Sequence, residues 1–282
     1  MANAKRPGLR PFARVRPQAG PRNLPDLVDS YQASGRYTFT REEALRALGV
    51  SDEALKKAVQ RLAAKRRLAV PRRGFFVIVP IEYRDAGAPP ASWFIDALMS
   101  FHGRPYYVGL LSAAALHGAA HQQPQEFQVV TDGQLRPAVA GRARIRFFSN
   151  RRLERTPTMS VKTETGTMSV STPEATALDL LRYLAPAGHL GNVATVLAEL
   201  AGRLEARRLL EAARAEGDLP AAQRLGYLLE LVGAGEVAVG LAEWISAERA
   251  RLVPLRADRS SRRGRRDPRW RVVVNEKVEA EA

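Results

Sequence analysis

The chain has no cysteine, which removes disulfides, thiol nucleophiles, zinc ribbons and iron–sulfur clusters together. No apolar run approaches the roughly 18–20 residues that a membrane-spanning helix needs. The opening MANAKRPGLRPFARVRPQAGPR is basic but lacks the continuous apolar core of a secretory signal, so a cytoplasmic location is expected. Catalytic signatures are missing as well: there is no Gly-rich phosphate loop, no Gly-x-Ser-x-Gly elbow and no kinase motif. Glu276-Lys277 lacks the upstream acidic partner that a nuclease trio would require. No tandem repeat occurs at solenoid periods. These absences lead to the expectation of a protein that is not an enzyme and uses no cofactor and no metal.

Positive charge, by contrast, is abundant and unevenly placed. Lys and Arg number 44 against 29 Asp and Glu in 282 residues, a net of +15. Residues 1–73 carry +11, residues 74–248 carry −2 and residues 249–271 carry +8. A neutral centre between two basic ends points to a polyanionic partner, because clustered cations release counterions from phosphates. A GC-rich genome would explain the excess of Arg over Lys but not the clustering. The length suggests two domains, or one with appendages. The 45% hydrophobic and 26% charged content is that of a folded globular chain.

Residues 1–22 alternate Pro, Gly and Arg without apolar periodicity and read as a flexible basic arm. Leu24, Leu27, Val28 and Tyr31 then recur at helical spacing, and Gly35 ends that segment. Thr40 with Glu43 three residues later forms a capping box for REEALRAL, which stops at Gly49. Ser51 caps a third helix, DEALKKAVQRLAAKRR, with Asp52 and Glu53 at the positive end of its dipole. Leu55, Val59 and Leu62 make an apolar stripe on that helix, leaving Lys56, Lys57, Gln60 and Arg61 on or beside the other face. LAV-PRRG-FFVIV follows as a β-hairpin with Arg72 and Arg73 at its tip. Helix, helix, turn, helix and hairpin over 23–84 is the order of a winged helix-turn-helix, whose third helix enters the major groove. The alternative for the same pattern is a small three-helix domain that binds protein.

Asp85–Pro90 reads as a link. Beyond it, 90–276 mixes helix and strand. SWFIDALMSF is expected as a helix, SAAALHG as a helix capped by Ser112, EFQVVT and RARIRFFS as strands, and VKTETGTMSVST as a hairpin turning near Gly166. PEATALDLLRYL begins with Thr172 as cap and Pro173 at the first position. Residues 190–232 read as helical, broken at Gly202 and around Gly217–Pro220. RWRVVVN is expected as a strand returning to the same sheet.

Four further features carry alternatives. His117 and His121 are four apart, as two ligands on one helix face would be, but Gly118 and Gln-Gln-Pro favour a helix end there. His102 and His189 are isolated and read as structural. Asp179 faces a stripe of core residues, and one carboxylate is not an active site. The Arg run 259–271 is a second phosphate contact, an acidic-protein contact or a solvated loop; Trp270 within it reads as core.

Together the capped helices Thr40–Gly49 and Ser51–Arg67, YYVGLLSAAALHGAAHQQP, EFQVV, RIRFF, MSVSTPEATALDLLRY, RLGYLLELVG and the final W-x-V-x-V-N resemble AbiEi-type antitoxins of type IV toxin–antitoxin (abortive infection) systems, over roughly residues 24–276. Order and spacing carry the resemblance, since each piece alone is weakly specific. It implies an α+β protein: an N-terminal winged helix-turn-helix (23–84) followed by a larger mixed α/β antitoxin domain (90–276). The winged helix would bind inverted repeats in its own promoter and repress the operon. The larger domain would counter a nucleotidyltransferase-fold toxin, with no stable complex implied. The arm 1–22 and the Arg-rich loop 256–269 depart from that pattern.

On this reading Ser51, Lys56, Lys57, Gln60, Arg61, Arg72 and Arg73 are the DNA-binding residues, and double-stranded promoter DNA is the partner. Gln60 is the candidate base reader, because an amide can bond adenine bidentately. Two other functions fit the same sequence: a stand-alone regulator whose C-terminal domain senses a ligand, and a nucleic-acid-processing enzyme with a hidden active site.

Overall fold

In a computed structural model of the chain, the structure describes residues 21–119, 124–262 and 264–278. Nearly all of the expected basic arm, His121 and Arg263 lie outside the described residues. The fold is α+β, with an N-terminal helical region preceding a larger mixed part.

The N-terminal part runs α1 (Leu24–Ala33), β1 (Thr38–Thr40), α2 (Arg41–Leu48), α3 (Asp52–Ala64), β2 (Leu68–Arg72) and β3 (Phe75–Ile78). Its boundaries follow local chemistry. The Asn23 side chain accepts from Asp26 N and caps α1. Thr40 and Glu43 form the expected reciprocal capping box, and Gly49 closes α2 in the left-handed conformation. The strands form an antiparallel sheet ordered β1-β3-β2. Leu24, Leu27, Val28, Phe39, Leu55, Val59, Leu62, Phe76 and Ile78 fill the core between helices and sheet.

The larger part adds α4 (Ile95–His102), β4 (Tyr106–Val108), α5 (Leu110–Leu116), β5 (Phe127–Thr131), β6 (Ala138–Ala140), β7 (Ala143–Ser149), β8 (Thr158–Thr163) and β9 (Gly166–Ser171). Helices α6 (Pro173–Arg182), α7 (His189–Leu200), α8 (Ala206–Glu216), α9 (Leu219–Leu231) and α10 (Val239–Ala247) follow. The short strands β10 (Val253–Pro254), β11 (Arg265–Asp267) and β12 (Val272–Val274) close the chain. The central mixed sheet has the order β6-β7-β5-β4-β9-β8. Its helical layer is a second core, in which Leu178, Leu181, Leu190, Leu225, Leu228 and Trp270 are buried together.

Two local expectations change. Val272–Val274 does not return to the central sheet; it is the middle strand of a separate sheet ordered β10-β12-β11. Ser112 lies inside α5, whose N-cap is Gly109. Its hydroxyl instead accepts from Gln128 N at 2.9 Å and donates to Glu126 O at 3.3 Å, so a backbone demand of β5 claims the group that would otherwise cap.

The hairpin β2–β3 has two working faces. Phe76 and Ile78 point into the N-terminal core, while Ala69, Phe75, Val77 and Val79 belong to a core shared with Phe94, Leu98, Val108, Val129 and Ile145. The alternation of a strand thus joins both parts through one sheet. The segment between them is packed as well: Ala88 and Phe94 are buried. Gly87 and Gly141 meet so closely that a Cβ on Gly141 would stand 2.2 Å from Ala86 O.

Candidate nucleic-acid interface

Helix α3 presents the two faces that its sequence spacing demands. Leu55, Val59 and Leu62 are buried, while Lys56, Lys57, Gln60 and Arg61 are exposed. Ser51 is the N-cap, its hydroxyl accepting from Ala54 N at 3.3 Å. Lys57 lies 3.7 Å from Glu53 one turn earlier, an exposed pair of the kind that contributes little. Gln60 and Arg61 have no intramolecular side-chain partner among the described residues.

The hairpin tip is fixed beside this helix. Gly74, at φ 87°, lets the chain turn, and its carbonyl accepts from Arg41 N at 2.8 Å at the start of α2. Arg41 Nε in turn donates to Asp52 Oδ1 at 2.6 Å at the start of α3. That hydrogen bond, with the nearby charges of Arg41, Arg73 and Lys56, holds the Asp52 carboxyl below its ordinary range. Lys56 and Arg73 are legible in the sequence one by one; the pairing of Arg41 with Asp52, whose carboxyl also feels both of their charges, is not, because the two residues belong to different helices. The result is a solvent-facing group of cations gathered about Asp52, with Glu42 and Glu53 beside Arg41 and Lys57.

Arg72 sits differently. Its guanidinium donates to Pro137 O at 3.0 Å and to the carbonyl of Arg136, tying the hairpin to the loop before β6. Burial, then the neighbouring Arg136 charge, lowers its basicity. Arg73 is the exposed arginine of the tip.

A second polar cluster lies in the larger part. Asp179, fully buried on α6, accepts from Tyr107 Oη at 3.2 Å and from Arg182 Nη1 at 3.2 Å. Arg182 also pairs with Glu216, and with Asp218 at 3.4 Å. Burial, and then the proximity of Glu216, push the Asp179 carboxyl up to about 8, and burial also raises Glu216. Asp179 Oδ2 has no hydrogen-bond partner, as a protonated or inward-facing oxygen allows. A pocket of about 380 Å³ lined by Asn150, Arg152, Arg182, Glu216 and Asp218 opens beside this cluster. Asp179 was visible in the sequence, and Arg182 three residues later was a signal for it; Glu216 and Asp218 were not legible, because α8 and its end are brought there only by helix packing.

His117 Nε2 lies 2.8 Å from the carbonyl of Ser171, so the ring is engaged with the end of β9. Among the described residues, no group of three or more His, Cys, Asp or Glu side chains is arranged to hold a metal ion. No described helix is long and apolar enough to cross a membrane.

An α+β fold with a cationic helix face at one end and a mixed-sheet part with a helical layer behind it defines the general class. Residues 107–231 match the family described as the AbiEi antitoxin C-terminal domain. The fold is similar to the crystal structure of the RV2827C protein from Mycobacterium tuberculosis, with a TM-score of 0.63 at 16% identity over 91% of this chain and 94% of that one. No curated protein matches the sequence significantly.

Proposed function

We propose that this chain is an AbiEi-type antitoxin, a DNA-binding autorepressor of a type IV toxin–antitoxin operon that counters a nucleotidyltransferase-fold toxin. The observation that carries the DNA half is the exposed row Lys56, Lys57, Gln60 and Arg61 on α3, opposite its buried stripe and beside Arg73. Order and sheet pairing fit a winged helix-turn-helix, in which α3 is the reading helix and β2–β3 the wing. Lys56, Lys57, Arg61 and Arg73 would meet phosphates or guanine, and Gln60 would read a base edge. Ser51 caps α3 through Ala54 N and so sets the start of the reading helix. Arg72 stands behind the tip and sets its position.

The toxin half rests on the AbiEi domain at 107–231. Inverted repeats in the promoter are expected as the target, and no stable complex with the toxin is required.

The test is binding of the full chain to a duplex from upstream of its own gene and to a scrambled duplex, titrated with salt. A preference of about a thousandfold or more for the native duplex is expected of specific recognition. Equal affinity for both would refute the autorepressor reading. Co-expression with the gene directly downstream tests the second half: that gene should arrest growth alone and not in the presence of this chain.

A further inference from the structure

Two arginines of the C-terminal region stand at backbone positions that suit glycine. Arg249 has φ 48° and Arg271 has φ 55°, in the left-handed region where a side chain is strained and glycine is not. Arg249 closes α10: its N–H donates to Ser246 O at 3.1 Å, and that of Ala250 to Ile245 O at 3.2 Å. Such a helix end usually takes glycine at this position. At Arg271 the surroundings impose the conformation. The buried Gln223 amide donates to the carbonyls of Arg251, Trp270 and Arg271 at 2.9, 3.2 and 3.0 Å, which fixes the backbone whatever the side chain prefers.

The two strained positions meet. Arg271 Nε donates to Ala250 O at 3.1 Å, beside Arg249. Together with Arg269, both arginines line a cavity of about 540 Å³ between the end of α10 and the chain entering β12. Ala242, Ile245 and Pro268 are its apolar lining. The charge there has one sign. Arg269 is paired with Glu230 at 3.1 Å, whereas Arg249 and Arg271 have no carboxylate partner among the described residues. Glu248, next to Arg249 in the chain, accepts from Trp244 Nε1 at 3.3 Å instead.

We propose that this cavity binds a small organic acid, its anionic group held by Arg249 and Arg271 and its flat apolar body lying against Ala242, Pro268 and the arginine stems. Three features select that class. The volume lies in the range of small-molecule sites, roughly 300–1,000 Å³. Guanidinium groups fork onto a carboxylate and stack on a flat ring, and the apolar lining would go uncovered by a bare inorganic anion. Finally, glycine would close α10 without strain, so what Arg249 adds at that position is its guanidinium; a conformation held against its own preference points to a task for the side chain.

The experiment uses the full chain and 2-naphthoate as the probe acid. The controls are 2-naphthamide, with the same rings and no charge, and acetate, with the charge and no rings. Calorimetric titration should show one site for 2-naphthoate, and saturating acid should raise Tm, since a ligand that binds only the folded chain stabilises it. Both controls should bind at least about tenfold more weakly. Arg249→Gly should melt at or above wild type without the acid, because glycine fits that φ, and should bind 2-naphthoate about tenfold or more weakly. Arg249→Lys, which keeps the charge but not the fork, should fall between the two. Arg271→Gly should weaken the acid as well. The proposal is overturned if 2-naphthoate does not bind, if the amide binds as tightly, which would make the cavity a simple apolar recess, or if acetate does, which would make it a bare anion site. It is overturned equally if Arg249→Gly keeps wild-type affinity for the acid, which would assign Arg249 to the helix end alone. Duplex binding enters none of these readouts, so the autorepressor reading can fail without this one.

Discussion

Gly226 exists to admit Trp270. A Cβ at position 226 would lie 1.9 Å from Cζ3 of the indole, inside any tolerable contact. The tryptophan enters from the C-terminal sheet, is completely buried, and donates through Nε1 to Glu230 Oε2 at 2.6 Å, one turn further along the same helix. Helix α9 thus tolerates a helix-weakening glycine because the hole it leaves is filled by the largest side chain of the core.

Gly226→Ala should accordingly destabilise the protein by about 1–3 kcal/mol or more through overpacking, although alanine is the better helix former. Trp270→Leu alone should be destabilising through the void it leaves. Combined, the two changes should cost less than their sum, because the shorter side chain removes the clash. Denaturant melts of the four proteins in a double-mutant cycle check this; strict additivity would mean that the helix and the sheet do not lock together here.

The lysines and the glutamine of α3 should behave differently from one another. Lys56→Ala with Lys57→Ala should melt like wild type, since both side chains are exposed, and should flatten the salt slope by about 0.9 for each phosphate that loses its cation. Gln60→Ala should keep the slope and lower discrimination between native and scrambled duplex by about 1–3 kcal/mol. If both variants bind as wild type does, α3 is not the reading head.

The two tip arginines separate in the same way. Arg72→Ala removes hydrogen bonds to two carbonyls of the larger part and should lower stability by roughly 0.5–1.5 kcal/mol per bond, with the salt slope of DNA binding unchanged. Arg73→Ala should do the reverse. Thermal melts paired with salt-titrated binding distinguish them.

Asp179 predicts a pH dependence. Its carboxyl titrates at about 8 in the folded chain and near its ordinary value of about 4 when unfolded. Between those values the folded state holds a proton that the unfolded state has released, so the stabilisation is fully present below about pH 4 and is lost as pH rises towards 8. Relative to wild type, Asp179→Asn should therefore grow more stable across that window, by no more than about 1.4 kcal/mol per pH unit for one proton. Asparagine keeps an oxygen for Tyr107 and Arg182. Urea melts of both proteins at several pH values measure the difference; parallel curves would show Asp179 ionised in the fold.

Much of this protein was determined by the sequence alone. Thr40 with Glu43, Ser51, and Thr172 with Pro173 specify where helices begin, because caps satisfy backbone N–H groups within a few residues of themselves. The spacing of Leu55, Val59 and Leu62 decides which face of α3 is left to Lys56, Lys57, Gln60 and Arg61, since helical periodicity is local. Strand partners are not local. Only the tertiary structure decided that Val272–Val274 builds its own sheet, that one face of the hairpin serves the N-terminal core and the other the larger part, and that Arg72 binds carbonyls beyond residue 135. The same holds for the surroundings of Asp179: Arg182 follows one turn later on the same helix, but Glu216 and Asp218 arrive through the packing of α8 and α9 against α6. Periodicity tells each segment which side to bury. What it is buried against is settled by the competition among all such faces for one another, and that competition is resolved only when the whole chain has folded.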